Sequence, residues 1–141
     1  MYSTKLSVSV HILCMIALNP DCPITSDRMA GSIQTNPALV RRLMSQLKKA
    51  NLIKTQTKLG AIGLAKPSSD ISLREVFQAV EPEQRLFDIH TGTNMKCPVG
   101  ANIGKVLTQI YDQVQTNFED QLGNIFLSDI LKILLKRRSK L

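Results

Sequence analysis

The most constraining feature of the sequence is a pair of helix-start signals separated by a very short connection. Thr25 is a favoured N-cap residue and predicts a helix over 26–33. Asn36 is followed by Pro37, and proline is favoured at the first helical position because its missing N–H would have no partner there. A second helix is therefore predicted from Pro37 to about Ala50, almost directly after the first.

A switch from helical to strand periodicity follows the second of these helices. Apolar and polar residues alternate over 52–57, as in a strand with one buried face. The segment 58–63 contains Gly60 and Gly63 and predicts a turn, so 64–66 is expected to return as the partner strand. Two helices joined by a tight turn and followed by a hairpin are typical of a winged helix-turn-helix, in which the hairpin is the wing.

The excess positive charge of the chain is confined to this helix–helix–hairpin segment. Residues 25–66 contain eight of the 18 lysines and arginines but only one of the 11 acidic residues, Asp27, and the net charge of the whole chain is +7. The rest of the chain is therefore neutral. A focused basic surface on a neutral body attracts polyanions, and together with a helix-turn-helix it favours double-stranded DNA as the partner.

The other predicted elements complete the fold class. Aromatic residues make up only 4% of the chain, so the core is expected to consist of aliphatic side chains, which suits packed helices. A capping box at Ser72 and Glu75 marks one helix start, and Ser128 marks another as an N-cap. Further helices are predicted over 6–18, 73–80, 102–122 and 129–138. We predict a mainly α fold with a small β-hairpin wing, in which a long dimerisation helix follows the winged helix-turn-helix domain.

The term dimerisation helix refers to 102–122, whose apolar stripe is too long for one small domain to cover. Its apolar residues recur at spacings of three and four, which predicts a seam between two copies of the chain, although the stripe could instead be ordinary core. The candidate dimer interface comprises Ile103, Leu107, Ile110, Val114 and Phe118. The predicted domains are a DNA-binding domain over 1–81, a sensor-type loop over 82–101, and the dimerisation helix with a C-terminal helix over 102–141.

The start of the second helix is the part of the chain that can read bases. The N-terminal residues of a recognition helix reach base edges in the major groove, so Gln34, Thr35 and Asn36 are candidate base readers. The basic residues further along this helix, and the one at the wing tip, suit phosphate groups. The additional DNA-binding candidates are Pro37, Val40, Arg41, Arg42, Ser45, Lys48, Lys49 and Lys58.

The basic face has two alternative interpretations. It could be an ordinary solvated helix beside an ordinary hairpin, or it could bind a protein or RNA partner as a winged-helix interaction module. An enzyme is disfavoured, because the sequence has no glycine-rich phosphate loop, no His/Cys set with metal-ligand spacing, and no paired nucleophile and base. We accordingly predict no catalytic residue, no metal and no cofactor.

The chain is expected to work in the cytoplasm without a membrane partner. The apolar run over 6–18 imitates a signal peptide, but polar residues interrupt it, and Asn19-Pro20 stands where small residues would mark a cleavage site. No apolar run is long enough to cross a membrane. The cysteines are odd in number and lack a close pair, which fits a reducing compartment.

Several segments resemble one family of bacterial regulators. Residues 2–6 (YSTKL), 35–42 (TNPALVRR), 43–53, 71–81 (ISLREVFQAVE) and 97–103 (CPVGANI) are similar to the Rrf family of winged helix-turn-helix transcriptional regulators. That family includes the iron–sulphur cluster regulator, the nitric-oxide-sensitive repressor and the cysteine-metabolism repressor. The resemblance covers most of the chain. It implies a repressor that forms a homodimer through the helix over 102–122 and grips a palindromic operator with its two winged domains.

Two positions depart from the family pattern. Members that carry an iron–sulphur cluster place three cysteines in the loop before the long helix, whereas here that loop has only Cys97. One thiolate cannot hold a cluster, so we predict none. Relatives often have an arginine at the wing tip, and Lys58 lacks the bidentate fork of arginine, which disfavours guanine reading by the wing. Cys97 is either a redox-sensing thiol, activated by the helix start and by Lys96, or a thiol without a function.

Overall fold

The computed structural model describes residues 3–138, in which the helices and strands follow the predicted order. The elements are α1 (Lys5–Ala17), α2 (Ser26–Ile33), α3 (Pro37–Lys49), β1 (Ile53–Gln56), β2 (Gly60–Leu64), a 3₁₀ helix (Ser68–Asp70), α4 (Leu73–Val80), α5 (Pro98–Gly123) and α6 (Leu127–Arg138). The mainly helical class with a two-stranded antiparallel wing is confirmed. The predictions that concern Tyr2 and the ends of the domains at residues 1–2 and 139–141 lie outside the described residues.

The predicted N-caps determine where α2 and α3 begin. The Thr25 hydroxyl accepts a hydrogen bond from the Arg28 backbone N–H at 3.2 Å, and the Asn36 side-chain oxygen accepts one from the Ala38 N–H at 2.8 Å. Between the two helices, Gln34 adopts a left-handed conformation with φ of 60°, which ends α2 and redirects the chain. The two N-caps and the left-handed residue between them produce the tight helix-turn-helix connection.

One aliphatic core holds α1 to α4 together and also contains the start of α6. Its largest fully buried side chains are Ile12, Leu13, Ile16, Ile24, Met29, Val40, Leu43, Leu47, Leu52, Ile71, Val76 and Leu127. The capping box at the start of α4 is confirmed, since the Ser72 and Glu75 side chains each bond the other's backbone N–H. The helix-turn-helix therefore stands on a rigid packed base.

The wing turns at a different place from the one predicted. We predicted that the return strand begins at Leu64, but β2 already begins at Gly60. Gly63 is paired with Lys54 of β1. The turn is confined to residues 57–59, and Lys58 at its centre is left-handed with φ of 72°. The prediction was wrong because it treated both glycines as turn residues, whereas Gly60 begins β2 and Gly63 lies within it.

Two helices begin earlier than predicted. α5 begins at Pro98 rather than at residue 102, because proline is favoured at the first helical position and extends the helix into the predicted loop. α6 begins at Leu127, because the Asp129 carboxylate accepts a hydrogen bond from the Phe126 backbone N–H at 2.9 Å. Ser128 is therefore inside the helix and is not its cap. No helix within residues 3–138 has the length and apolar character that crossing a bilayer requires.

Candidate nucleic-acid interface

α3 has a buried side and an exposed side. Val40, Leu43, Met44 and Leu47 are buried in the core. The exposed side chains of α3 are Ala38, Arg41, Arg42, Ser45, Lys48 and Lys49. This exposed side is the outer face of α3. Since the helix repeats every 3.6 residues, the side chains at positions 38, 41, 45 and 48 follow one another along a single line that solvent, and hence a groove of DNA, can reach.

Val40 is not part of this surface, and its prediction as a DNA-binding residue is wrong. The side chain is fully buried, with 0% of its surface exposed. Val40 precedes Leu43, Met44 and Leu47 by three, four and seven positions, which places all four on one face of the helix. An aliphatic residue at that spacing belongs to the core, so Val40 positions α3 and does not touch DNA.

The three candidate base readers form the turn between α2 and α3, immediately before Pro37. Gln34 and Asn36 are exposed and Thr35 is half-buried. The Asn36 side-chain oxygen is occupied by the cap at 2.8 Å, which leaves its NH₂ group as the donor for a base. Pro37 is half-buried and has no N–H, so its contribution is to fix the direction in which the helix starts.

Sequence reasoning missed Ala38, which is exposed in the first turn of α3. Ala38 precedes Arg41 by three positions and Ser45 by seven, so it lies on the same line as both. A small apolar side chain at this place can contact the methyl group of thymine in the major groove. The spacing from Arg41 is the signal in the sequence that indicates this position.

Two connections hold the wing against the helices. Ile24 and Ala61 exchange a pair of backbone hydrogen bonds, each 2.9 Å long, which attaches β2 to the segment before α2. Beyond the wing, the Lys66 ammonium group lies 2.5 Å from the Glu75 carboxylate of α4. Lys66 is therefore neutralised within the chain, and the charge available to DNA comes from the other basic residues of the 25–66 segment.

A cleft of about 530 Å³ separates the outer face of α3 from the wing and the start of α2. We call it the α3–wing cleft. Its polar and charged lining comprises Arg41, Ser45 and Lys48 from α3, Thr55, Gln56 and Lys58 from the wing, Ser26 and Asp27 from α2, and the α2 N-cap Thr25. The cleft brings together four of the predicted residues, while Arg42 and Lys49 are exposed on α3 outside it. Three cations with nearby hydroxyl groups suit the sugar–phosphate backbone.

A family model described as "Rrf2: Iron-dependent Transcriptional regulator" matches residues 2–133. The chain belongs to the Rrf2 family. Rrf2 transcriptional regulators are non-enzymatic DNA-binding proteins, so this member is a transcriptional regulator whose partner is DNA. The outer face of α3 and the wing carry six of the eight basic residues of the 25–66 segment, and all six are exposed.

Individual relatives agree with the family in sequence and in fold. YwnA of Bacillus subtilis, whose name places it among helix-turn-helix-type transcriptional regulators, is 37% identical over 134 residues, which are 95% of this chain and 99% of YwnA. A crystal structure described as that of a DNA-binding protein is 35% identical, with a TM-score of 0.75 over 90% of this chain and 98% of that one. IscR of T. potens shares the fold at 22% identity, with a TM-score of 0.68 over 95% of this chain and 88% of that one.

The family description names iron, but the donor residues of this member do not fit a metal centre. Among residues 3–138, no group of three or more His, Cys, Asp or Glu side chains is placed to hold a metal ion. Cys14 is buried in α1, Cys22 is exposed between α1 and α2, and Cys97 is exposed before α5. The thiol groups thus belong to three separate segments, and the loop before α5 supplies only one of them.

Cys97 differs chemically from the buried cysteine of α1. It occupies the N-cap position of α5, where the backbone N–H groups of Gly100 and Val99 lower the pKa of its thiol. Burial raises the pKa of the Cys14 thiol to about 11. Because the thiolate is the nucleophilic form, we expect the exposed Cys97 thiol to react faster than the buried Cys14 thiol.

The predicted dimer interface is partly exposed and partly used within the chain. In the middle of α5, Ile110 is 49% exposed and Val114 is 38% exposed, while Ile103 is half-buried, as is Leu107. The last predicted member differs, since the Phe118 ring makes a T-shaped contact with Phe77 of α4 at a centroid distance of 5.5 Å. Periodicity alone could not distinguish the packed residues of the stripe from the exposed ones. The stripe packs against α4 at Phe118 and faces solvent at Ile110 and Val114.

Proposed function

We propose that this Rrf2 member is a cytoplasmic, homodimeric repressor that binds a palindromic operator in double-stranded DNA. The observation that carries the proposal is the exposed basic surface formed by the outer face of α3 and the wing, which lie in the segment 25–66 whose net charge equals the +7 of the whole chain.

The outer face of α3 fits the major groove. The helix has 13 residues, and a groove about 12 Å wide admits one α-helix. In this position Gln34, Thr35, Asn36 and Ala38 would meet base edges, because the N-terminal end of a recognition helix points into the groove. The basic residues farther along α3, Arg41, Arg42, Lys48 and Lys49, would meet phosphates, as would Lys58 on the wing.

The exposed apolar side chains of α5 support the dimer. Ile110 and Val114 are four residues apart and therefore lie next to each other on one face of α5. Exposing this apolar strip to water is unfavourable, so burying it would stabilise the protein. Burying this strip against the same strip of a second copy satisfies two-fold symmetry, and a two-fold dimer of DNA-binding domains requires an operator with the same symmetry. The half-sites of that operator would be spaced by about one helical turn of DNA or a multiple of it.

The regulator is proposed to work without an iron–sulphur cluster. A cluster needs four protein ligands, mostly cysteines, whereas the loop before α5 offers Cys97 alone. Protein purified without oxygen from iron-replete cells should therefore be colourless and free of stoichiometric iron and sulphide. Visible absorbance with stoichiometric iron and sulphide would contradict this part of the proposal.

The experiment that tests DNA recognition is selection of duplexes from a randomised library by the purified wild-type protein. We expect a palindromic sequence to be enriched, and a reporter gene placed behind that sequence to be expressed less when the protein is present. A pool that retains random sequence after repeated selection would contradict sequence-specific binding and would favour a protein or RNA partner. Increased reporter expression would contradict the repressor role.

The dimer is tested by light scattering at micromolar concentration. The wild type should have the mass of two chains, and Ile110→Asp should yield monomers, because a carboxylate cannot be buried in an apolar seam without a partner. Gln113→Asp is the matched control, since Gln113 is an exposed polar residue of α5 and its variant adds the same charge. A monomeric wild type would contradict the proposed dimer.

A further inference from the structure

The α3–wing cleft contains one group whose charge opposes the others. Arg41, Lys48 and Lys58 line the cleft, and Asp27 lines it from the first turn of α2. Asp27 is exposed, and it is the only acidic residue among residues 25–66. A carboxylate in this place lowers the affinity of the cleft for phosphate, which is the opposite of what its basic residues do.

The local structure gives Asp27 only a minor stabilising role. An acidic residue in the first helical turn interacts favourably with the helix dipole, but α2 is already capped by the Thr25 hydroxyl, which accepts a hydrogen bond from the Arg28 N–H at 3.2 Å. None of the ion pairs between residues 3–138 involves Asp27. Its charge is therefore not neutralised by a contacting cation, and it acts on whatever enters the cleft.

We propose that Asp27 is a specificity-determining residue, which repels phosphate groups from the α3–wing cleft and thereby weakens binding to random DNA more than binding to the operator. The inference rests on the proposed sequence-specific function. It assigns to α2 a part in DNA discrimination that involves no contact with a base.

The effect of Asp27 should differ between random DNA and the operator because different contacts hold the two complexes together. A non-specific complex is held almost entirely by phosphates and settles wherever most phosphates meet basic residues. A specific complex has its register fixed by base contacts at the start of α3, so its phosphates stay where Arg41, Lys48 and Lys58 meet them and cannot shift toward Asp27. A non-specific complex also adopts registers that bring phosphates close to Asp27. Repulsion at the cleft therefore penalises the non-specific complex more, which is a way of gaining specificity by disfavouring the wrong partner.

The test compares Asp27→Asn, which removes the charge and keeps the shape, with two controls. Asp27→Glu keeps the charge in the cleft. Asp70→Asn changes the net charge equally at an exposed residue of the 3₁₀ helix, which does not line the cleft. For each protein, fluorescence anisotropy at matched salt gives the affinity for a duplex selected by the wild type and for a random duplex of the same length.

Asp27→Asn should bind the random duplex roughly three- to tenfold more tightly, which is the order expected for one charge a few ångströms from phosphate in water. It should gain less on the selected duplex, so the ratio of the two affinities should fall, while both controls should keep the wild-type ratio. A partly unfolded variant would bind both duplexes more weakly, so loss of stability cannot imitate the expected result.

Two results would overturn the inference: an unchanged or increased ratio for Asp27→Asn, or the same fall in ratio for Asp70→Asn. These two results differ from the result expected if the proposed function is wrong. If the protein does not bind DNA sequence-specifically, the wild type itself would show no preference for any selected duplex. An intact wild-type preference with an unchanged Asp27→Asn ratio would refute only the role of Asp27.

Discussion

Gly60 is the residue at which one added methyl group should detach the wing from the helices. Gly60 has φ of 88°, a left-handed conformation that alanine adopts unfavourably. A Cβ at this position would approach the Ile24 carbonyl oxygen more closely than non-bonded atoms can. Because the obstacle is backbone, no side-chain rotation can relieve it. The chain would have to separate at the hydrogen-bonded pair formed by Ile24 and Ala61.

The magnitude follows from these two terms. Placing alanine in a left-handed conformation costs about 1 kcal/mol. Losing the two 2.9 Å hydrogen bonds between Ile24 and Ala61 costs about 0.5–1.5 kcal/mol for each bond. Gly60→Ala should therefore lower the free energy of unfolding by about 2–4 kcal/mol, summing these contributions.

The assay is urea denaturation of Gly60→Ala beside Gly63→Ala, two glycines of the same strand. A Cβ at Gly63 would meet nothing within 4 Å, and its φ is not left-handed, so Gly63→Ala should be neutral or stabilise the protein. Displacing the wing should also weaken DNA binding, because Lys58 would lose its position at the cleft. Equal stability of the two variants would refute the argument that Gly60 is constrained by its backbone neighbour.

Other residues give sharp tests of local chemistry and packing. The Cys97 thiol should be alkylated with a pH midpoint below that of an ordinary cysteine, because its lowered pKa keeps thiolate present at lower pH; Cys14 should stay unmodified in the folded protein, and equal rates would contradict this. Asn36→Ala should lower the free energy of unfolding by about 1 kcal/mol through loss of the cap, as measured in urea; no change would exclude a capping role. Val40→Ala should cost about 1–3 kcal/mol as a core truncation, whereas Arg42→Ala should change stability by less than about 0.5 kcal/mol; similar values for both would contradict their burial.

The starts of α2, α3 and α4 were predictable because they depend on residues close together in the chain. Thr25 and Asn36 cap their helices through hydrogen bonds to residues two or three positions away. The capping box of Ser72 and Glu75 is equally local. Local bonds of this kind need no knowledge of tertiary packing, so the order of helices and the helix-turn-helix could be derived from the sequence.

Three further features depend on residues distant in the chain and were not predicted correctly. Val40 is buried because α3 turns that face toward the core, and the sequence of α3 alone shows both valine and arginine near its start. Gly60 is required by the Ile24 carbonyl, which lies on a different segment. Asp27 and Lys58 likewise line the same cleft only because α2 and the wing are packed beside each other.

The division of α3 into base readers and phosphate anchors is the central claim, and salt-dependent DNA affinity tests it most directly. Thr35→Ala and Arg42→Ala are measured against a selected duplex and a random duplex across a salt series. Thr35→Ala should lose roughly 1–3 kcal/mol on the selected duplex and little on the random one. Arg42→Ala should weaken both duplexes alike and flatten the slope of log affinity against log salt by about one unit, because one fewer counterion is released. If both variants lose selected and random binding in equal proportion, the division is wrong, and if neither variant changes, α3 is not the helix in the groove.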